Sequence, residues 1–208
     1  MRPLPRLHAV TDARIVRLAD LGVRAAAIAA AGPAVALHAR DRTSPATVLA
    51  ATAERFVALA RPPEASVIVS GRADVALAVG AQGVQLAADD LAPADARRVL
   101  GRRGGWVGRS VHTEDEARRA LDEGADWLLV GTVYASASHP GRAGAGPALV
   151  ERIVRLGAPV VAIGGVTADR AREVHAAGAW GVAAVSALWD APNPAAAALA
   201  LLAPWMEE

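Results

Sequence analysis

The chain has no cysteine among its 208 residues, which removes disulfides, thiolate nucleophiles and cysteine-bound metals. It has no lysine either, so all 22 basic residues are arginine. Lysine-aldolase mechanisms and pyridoxal attachment need a lysine amine and are excluded, and so is a P-loop. An excess of one charge sign is also missing. The formal net charge is +1, leaving no broad basic field to draw nucleic acid or an anionic membrane. The longest apolar stretch, residues 25–39, is broken by Gly32 and Pro33 and falls short of a membrane span. The first ten residues, MRPLPRLHAV, hold no hydrophobic region of signal-peptide length. These absences lead us to expect a soluble, cytoplasmic protein with no nucleic-acid and no membrane partner.

What is present reads as globular: 53% of residues are hydrophobic and 21% charged. One junction recurs, in which a helical pattern ends in glycine and a short apolar run follows. It stands at Gly32, Gly80, Gly124, Gly157 and Gly178. Glycine closes helices in the left-handed conformation, and the run behind it suits a buried parallel strand. The spacing predicts strands at residues 7–11, 34–38, 66–69, 83–86, 106–112, 127–130, 160–163 and 181–185. Helices are expected at 44–60, 93–100, 114–123, 147–156, 168–176 and 194–202. Eight βα units in a chain of this size, with no linker, predict an α/β fold, a single-domain TIM (β/α)8 barrel over residues 1–208. The competitor, an open doubly wound sheet, lacks support because no glycine-rich dinucleotide fingerprint follows the first strand.

Active sites in such barrels sit at the C-terminal ends of the strands. His38 and Arg40, Ser70, Asp89 and Asp90, Ser110 and His112, Thr132, Ser136, Ser138 and Ser186 all fall there. Alternation along the fifth strand puts Gly108, Ser110 and His112 on one face. Thr113 and Glu116 form a capping box, T-x-x-E, so His112 stands just before a helix N-terminus. The helix dipole there favours a neutral ring, which is competent as a general base. Position alone leaves open whether His112 is a catalyst or a residue packed at an element boundary. Gly164, Gly165, Val185 and Ser186, after the last two strands, lie where this fold often binds phosphate through backbone N–H groups. Residues 131–146 form a long small-residue loop with Tyr134, Ser136, Ser138 and His139, and suit either a lid or a surface loop. His175 reads as solvated surface and His8 as a packed or hydrogen-bonded barrel residue. Arg109 is given an exposed head on a buried stem. No spacing defines a metal site; Asp89 and Asp90 alone make a weak one for magnesium.

Several stretches together resemble the thiamine phosphate synthase / TenI family over nearly the whole chain. They are LHAVTD (7–12), GRADVALAVGAQGVQL (71–86), VGRSVHTEDEA (107–117), GADWLLVGTVYASASHPG (124–141) and VVAIGGVTADRAREVHAAGAWGVAAVSAL (160–188). The resemblance implies a TIM barrel that binds a thiazole phosphate, and a homodimer. It offers two chemistries. The synthase joins hydroxymethylpyrimidine pyrophosphate to thiazole phosphate with Mg²⁺, and carries motifs resembling Q-L-R-x-K-D and N-D-R. Here those positions hold Ala36, His38, Arg40, Ser70 and Gly71, and its loop lysine is His139. The TenI-type thiazole tautomerase aromatises a thiazole carboxylate phosphate, needs no metal, and places a catalytic histidine at His112. The departures from the synthase motifs lead to the expectation of a tautomerase with no cofactor and no metal. In that expectation His112 is catalytic, and Gly164, Gly165, Val185, Ser186, Ser110, Thr132, His38 and Arg40 bind substrate, with His38 or Arg40 on the carboxylate. Thiamine phosphate synthase, or a non-catalytic thiazole phosphate-binding or regulatory protein, is the alternative.

Overall fold

Eight parallel strands close on themselves in sequence order. The structure, a computed structural model, describes residues 3–61, 64–136 and 143–206. The strands are β1 (Leu7–Val10), β2 (Val35–Ala39), β3 (Ser66–Ser70), β4 (Gly83–Leu86), β5 (Trp106–Val111), β6 (Trp127–Val130), β7 (Val160–Ile163) and β8 (Gly181–Ala184). The helices are α1 (Ala13–Val16), α2 (Leu21–Ala29), α3 (Ala46–Leu59), α4 (Ala73–Val79), α5 (Pro93–Leu100), α6 (Glu114–Asp122), α7 (Pro147–Val154), α8 (Ala168–Ala176), α9 (Ser186–Trp189) and α10 (Pro194–Leu202). The TIM barrel expected from the sequence is therefore present.

Local sequence explains the boundaries. The side chains of Asp12, Thr113, Thr167 and Asn193 each accept a backbone N–H in the first turn of α1, α6, α8 and α10, which satisfies an orphan donor at the helix start. Proline opens α5, α7 and α10, where its missing N–H loses nothing. Gly80 closes α4 with φ of 77°, and β4 follows three residues later. The strands are short because a barrel wall is buried on both faces and each needs only one apolar run. Among the described residues no helix is long and apolar enough to cross a membrane.

Two cores result. The larger lies between sheet and helices and includes Leu7, Leu37, Val69, Val84, Leu128 and Val182. The smaller fills the barrel with Leu4, Ala36, Ile68, Trp106, Trp127, Leu129, Val161 and Ala183. Leu4 precedes β1, while Trp106 and Trp127 begin their strands, so the bulk gathers at the N-terminal end and plugs it. The Trp127 ring packs at 4.8 Å against His8 on β1, and both residues are fully buried. Gly108 makes this possible, because a Cβ there would overlap both the Trp127 ring and Gln85 Oε1. At the C-terminal end the small side chains Ala183, Ala184 and Gly131 leave the barrel open.

One surface expectation needs correction. His175 is half-buried, its ring edge-on to Trp205 at 5.0 Å. Arg109 keeps its head exposed, as expected, and uses it: Nη1 donates to the Leu91 carbonyl at 2.9 Å and Nη2 to that of Ala88 at 3.1 Å. It thereby braces the loop that carries Asp89 and Asp90.

Candidate active site

The open end of the barrel holds a cavity of about 690 Å³. His38, Arg40, Ser110, His112 and Thr132 line it, as do Gly164, Gly165, Val185 and Ser186. All nine residues singled out in the sequence thus line one cavity. Ser138 and His139 lie outside the described residues.

His112 follows β5 directly, at the rim. The capping box forms as expected: Thr113 Oγ1 accepts from the Glu116 N–H at 3.2 Å, and Glu116 Oε2 accepts from the His112 N–H at 2.6 Å. His112 Nδ1 hydrogen-bonds the Gly131 carbonyl. A carbonyl only accepts, so Nδ1 carries a proton, and the neutral form of the ring has its lone pair on Nε2.

Opposite charges crowd the other side of the mouth. Arg40 is half-buried, and among the described residues no hydrogen bond or ion pair holds its guanidinium. Burial and the neighbouring Arg42 push its pKa below the usual arginine value, while Asp12, Asp41 and Asp90 work the other way. Those carboxylates are committed elsewhere. Asp12 accepts from Ile15 N at 2.8 Å and Asp90 from Ala87 N at 2.7 Å. Burial opposes ionisation of Asp41, but hydrogen bonds from Ser44 and Thr43 outweigh it and bring its pKa down to about 2. Asp89 pairs with Arg42 in the open. Among the described residues no three His, Cys, Asp or Glu side chains cluster as metal ligands.

Across the mouth, Gly164 and Gly165 turn with φ of 101° and 61°, a conformation L residues rarely adopt. Space forbids a side chain too: a Cβ on Gly164 would meet Thr132, and one on Gly165 the Ala135 carbonyl. The loop after β6 runs beside this turn, with Val133 N on Ile163 O at 2.9 Å and Tyr134 N on Gly164 O at 3.0 Å. Tyr134 Oη donates to Glu173 Oε2 on α8 at 2.7 Å. Arg170 lies over the Tyr134 ring at 4.6 Å and donates to the Gly165 carbonyl at 2.7 Å. Burial, then the Glu173 bond, raises the Tyr134 pKa to about 12. Tyr134 is therefore latched to α8.

The inner wall carries residues that sequence reasoning passed over. Gln85 projects inward from β4, and its Nε2 donates to Ser110 Oγ at 3.0 Å. As the one polar residue in the apolar run GVQL, it had a readable signal. His8 Nδ1 and His38 Nε2 are 2.7 Å apart; their partnership spans thirty positions and leaves no local mark. Arg42 was overlooked because it lies two residues beyond Arg40 in a loop.

A family model described as thiamine monophosphate synthase matches residues 7–188. The chain is 41% identical over 177 residues to thiamine-phosphate synthase of Thermus thermophilus, covering 84% of each chain. It is 43% identical over 165 residues to thiamine biosynthesis bifunctional protein ThiM/ThiE of Symbiobacterium thermophilum, covering 78% of this chain and 34% of that one. It thus spans about a third of the bifunctional relative. Among solved structures, thiamine phosphate pyrophosphorylase from Pyrococcus furiosus superposes with a TM-score of 0.82 at 32% identity, covering 97% of this chain and 96% of that one.

These relatives overturn the tautomerase expectation, since synthases resemble this chain at about 40% identity over most of its length. The expectation rested on motif positions where basic and acidic residues are replaced. It counted charges by position and so missed that the mouth still gathers Arg40 and Arg42 on one side of the cavity.

Proposed function

Because the chain belongs to the thiamine monophosphate synthase family, we propose that it is a thiamine-phosphate synthase, a transferase joining hydroxymethylpyrimidine pyrophosphate to thiazole phosphate. The observation that carries this reading is the 41% identity to a synthase across 84% of both chains. In the reaction the bond from the pyrimidine methylene carbon to the pyrophosphate oxygen breaks. Pyrophosphate leaves with the electron pair, and the thiazole ring nitrogen supplies the pair for the new C–N bond.

The residues divide the work by charge. The leaving pyrophosphate gathers negative charge, and preorganised cations stabilise it in a site shielded from water. Arg40 suits that task because it lines the cavity and its guanidinium has no partner to give up among the described residues. Arg42 adds a second cation by exchanging its exposed bond to Asp89. Thiazole phosphate sits at the Gly164–Gly165 turn, where the absence of side chains lets an anion approach the backbone, with the Ser186 hydroxyl on the same wall. His112 meets substrate through the free Nε2 at the rim. Ser110 and Thr132 line the space between these ends.

The resemblance also implies a divalent cation, and the residues present do not fit one. Its expected aspartate position is Gly71, at φ of 77°. Arg40 already stands as a cation among Asp12, Asp41 and Asp90, and Asp89 is paired with Arg42. The charge-stabilising role therefore falls to the arginines.

A coupling assay with both substrates, run with and without Mg²⁺, tests the reading. Thiamine phosphate and pyrophosphate should appear in equal amounts. No thiamine phosphate under either condition rejects the proposal.

A further inference from the structure

His8 and His38 stand inside the barrel on neighbouring strands, fully buried. The 2.7 Å bond between His8 Nδ1 and His38 Nε2 requires one protonated and one bare nitrogen. The remaining nitrogen of His8, Nε2, lies 3.0 Å from the Pro5 carbonyl oxygen. A carbonyl cannot donate, so His8 carries its proton on Nε2 and its Nδ1 is bare. His38 must then be the donor and carry its proton on Nε2. Both rings are neutral at pH 7: burial lowers His8 to about 4, and burial with the adjacent His8 and Arg40 lowers His38 well below its ordinary value.

By elimination, His38 Nδ1 is an exposed lone pair in the chemical sense, though shielded from solvent. It has no partner among the described residues, and His38 lines the cavity. Gln85, another cavity-lining residue, leaves its Oε1 buried and unpartnered, and that atom too can only accept. Ser70, paired with Gln85 across β3 and β4, leaves its buried Oγ unengaged as well. An acceptor buried without a partner is costly, so something that brings donors belongs in this recess.

We propose that Pro5, His8 and His38 form a tautomer relay. The Pro5 carbonyl, at the plugged end of the barrel, fixes the proton of His8 and through it the proton of His38. His38 Nδ1 and Gln85 Oε1 become a recess of acceptors that takes a neutral donor on the substrate heterocycle, an amino or hydroxyl group, and turns away a carboxylate. An anion there would face those two lone pairs, opposed only by the Ser70 hydroxyl and the neighbouring Arg40. His38 is then a specificity-determining residue and His8 a positioning residue acting through it. The inference rests on the proposed function only in taking the donor to be a substrate group.

Long-range ¹H–¹⁵N NMR of the ring nitrogens reads the relay directly in the wild-type chain. Its five histidines can be assigned from single substitutions. Both His8 and His38 should show a protonated Nε2 and a bare Nδ1 between pH 6 and 8; a proton on His38 Nδ1 overturns the relay. Adding 4-aminopyrimidine should move the His38 Nδ1 resonance with saturation. Pyrimidine-4-carboxylate should bind about ten-fold more weakly, the equivalent of one neutral hydrogen bond. No shift with the amine, or an equal response to the carboxylate, means that the recess holds only water and overturns the specificity claim. His8→Phe should scramble the His38 tautomer and erase the preference; if it fails to fold, the wild-type spectra still decide. None of these readouts needs turnover, so they succeed or fail independently of the coupling assay.

Discussion

Trp127 occupies the space that Gly108 vacates. The two belong to paired strands, and a single methyl on Gly108 would overlap the indole and Gln85 Oε1 together. The glycine is therefore a packing requirement. Gly108→Ala should destabilise the fold by about 1–3 kcal/mol, the usual penalty of overpacking. Combining it with Trp127→Leu should cost less than the sum of the two single changes. Urea unfolding of the four proteins measures the coupling, and strict additivity would count against this contact.

Acid should weaken the fold well above the carboxylate range. Buried His8 is lowered from 6.5 to about 4, so below pH 6.5 the unfolded chain takes up a proton that the native chain refuses. The stability His8 contributes is full above pH 6.5 and is lost as pH falls towards 4. With 1.36 kcal/mol per unit, the loss is on the order of 3 kcal/mol. His38 shifts in the same direction and adds to it. Urea midpoints at pH 7, 6, 5 and 4 should fall steadily; a flat profile contradicts the neutral buried pair.

Arg40→Gln separates a functional cation from a structural one. In the proposed synthase it should lower turnover by about 10²–10³-fold, as removal of one preorganised donor does. Arg40→Lys should recover part of that loss. Since nothing among the described residues pairs with the guanidinium, the melting temperature should not fall. A large drop in melting temperature with unchanged kcat would assign Arg40 to the fold.

The Tyr134 latch should act on binding. Tyr134→Phe removes the 2.7 Å bond to Glu173 but keeps the ring beneath Arg170. One neutral donor to a carboxylate contributes roughly 1–2 kcal/mol, so KM for thiazole phosphate should rise several-fold with kcat little changed. Steady-state kinetics against each substrate checks this, and an effect confined to the pyrimidine substrate would contradict it.

The barrel was legible because its signals are local. Glycine followed by an apolar run located Gly83–Leu86, Trp127–Val130 and Val160–Ile163 without error. Strand ends drifted by a residue where a polar side chain such as Thr11 or His112 continues past the last ladder bond. Helix α2 was missed: LGVRAAAIA is so rich in alanine that no polar face contrasts with an apolar one, and the stretch merged with β2 into one apolar run. The candidate site residues line one cavity because barrel topology places them at strand ends. Their partnerships were hidden, because His8 meets His38, Arg109 meets Leu91 and Tyr134 meets Glu173 only once strands and loops are side by side. The misreading of function has the same root. A substitution table follows positions, whereas the field in the mouth depends on where flexible guanidinium groups end.

The indoles at the foot of the barrel turn the interior into a blind well. Whatever arrives and whatever departs use the same doorway. In the proposed synthase a lingering product would block both incoming reactants at once, so inhibition by the finished molecule is the expected consequence of this shape.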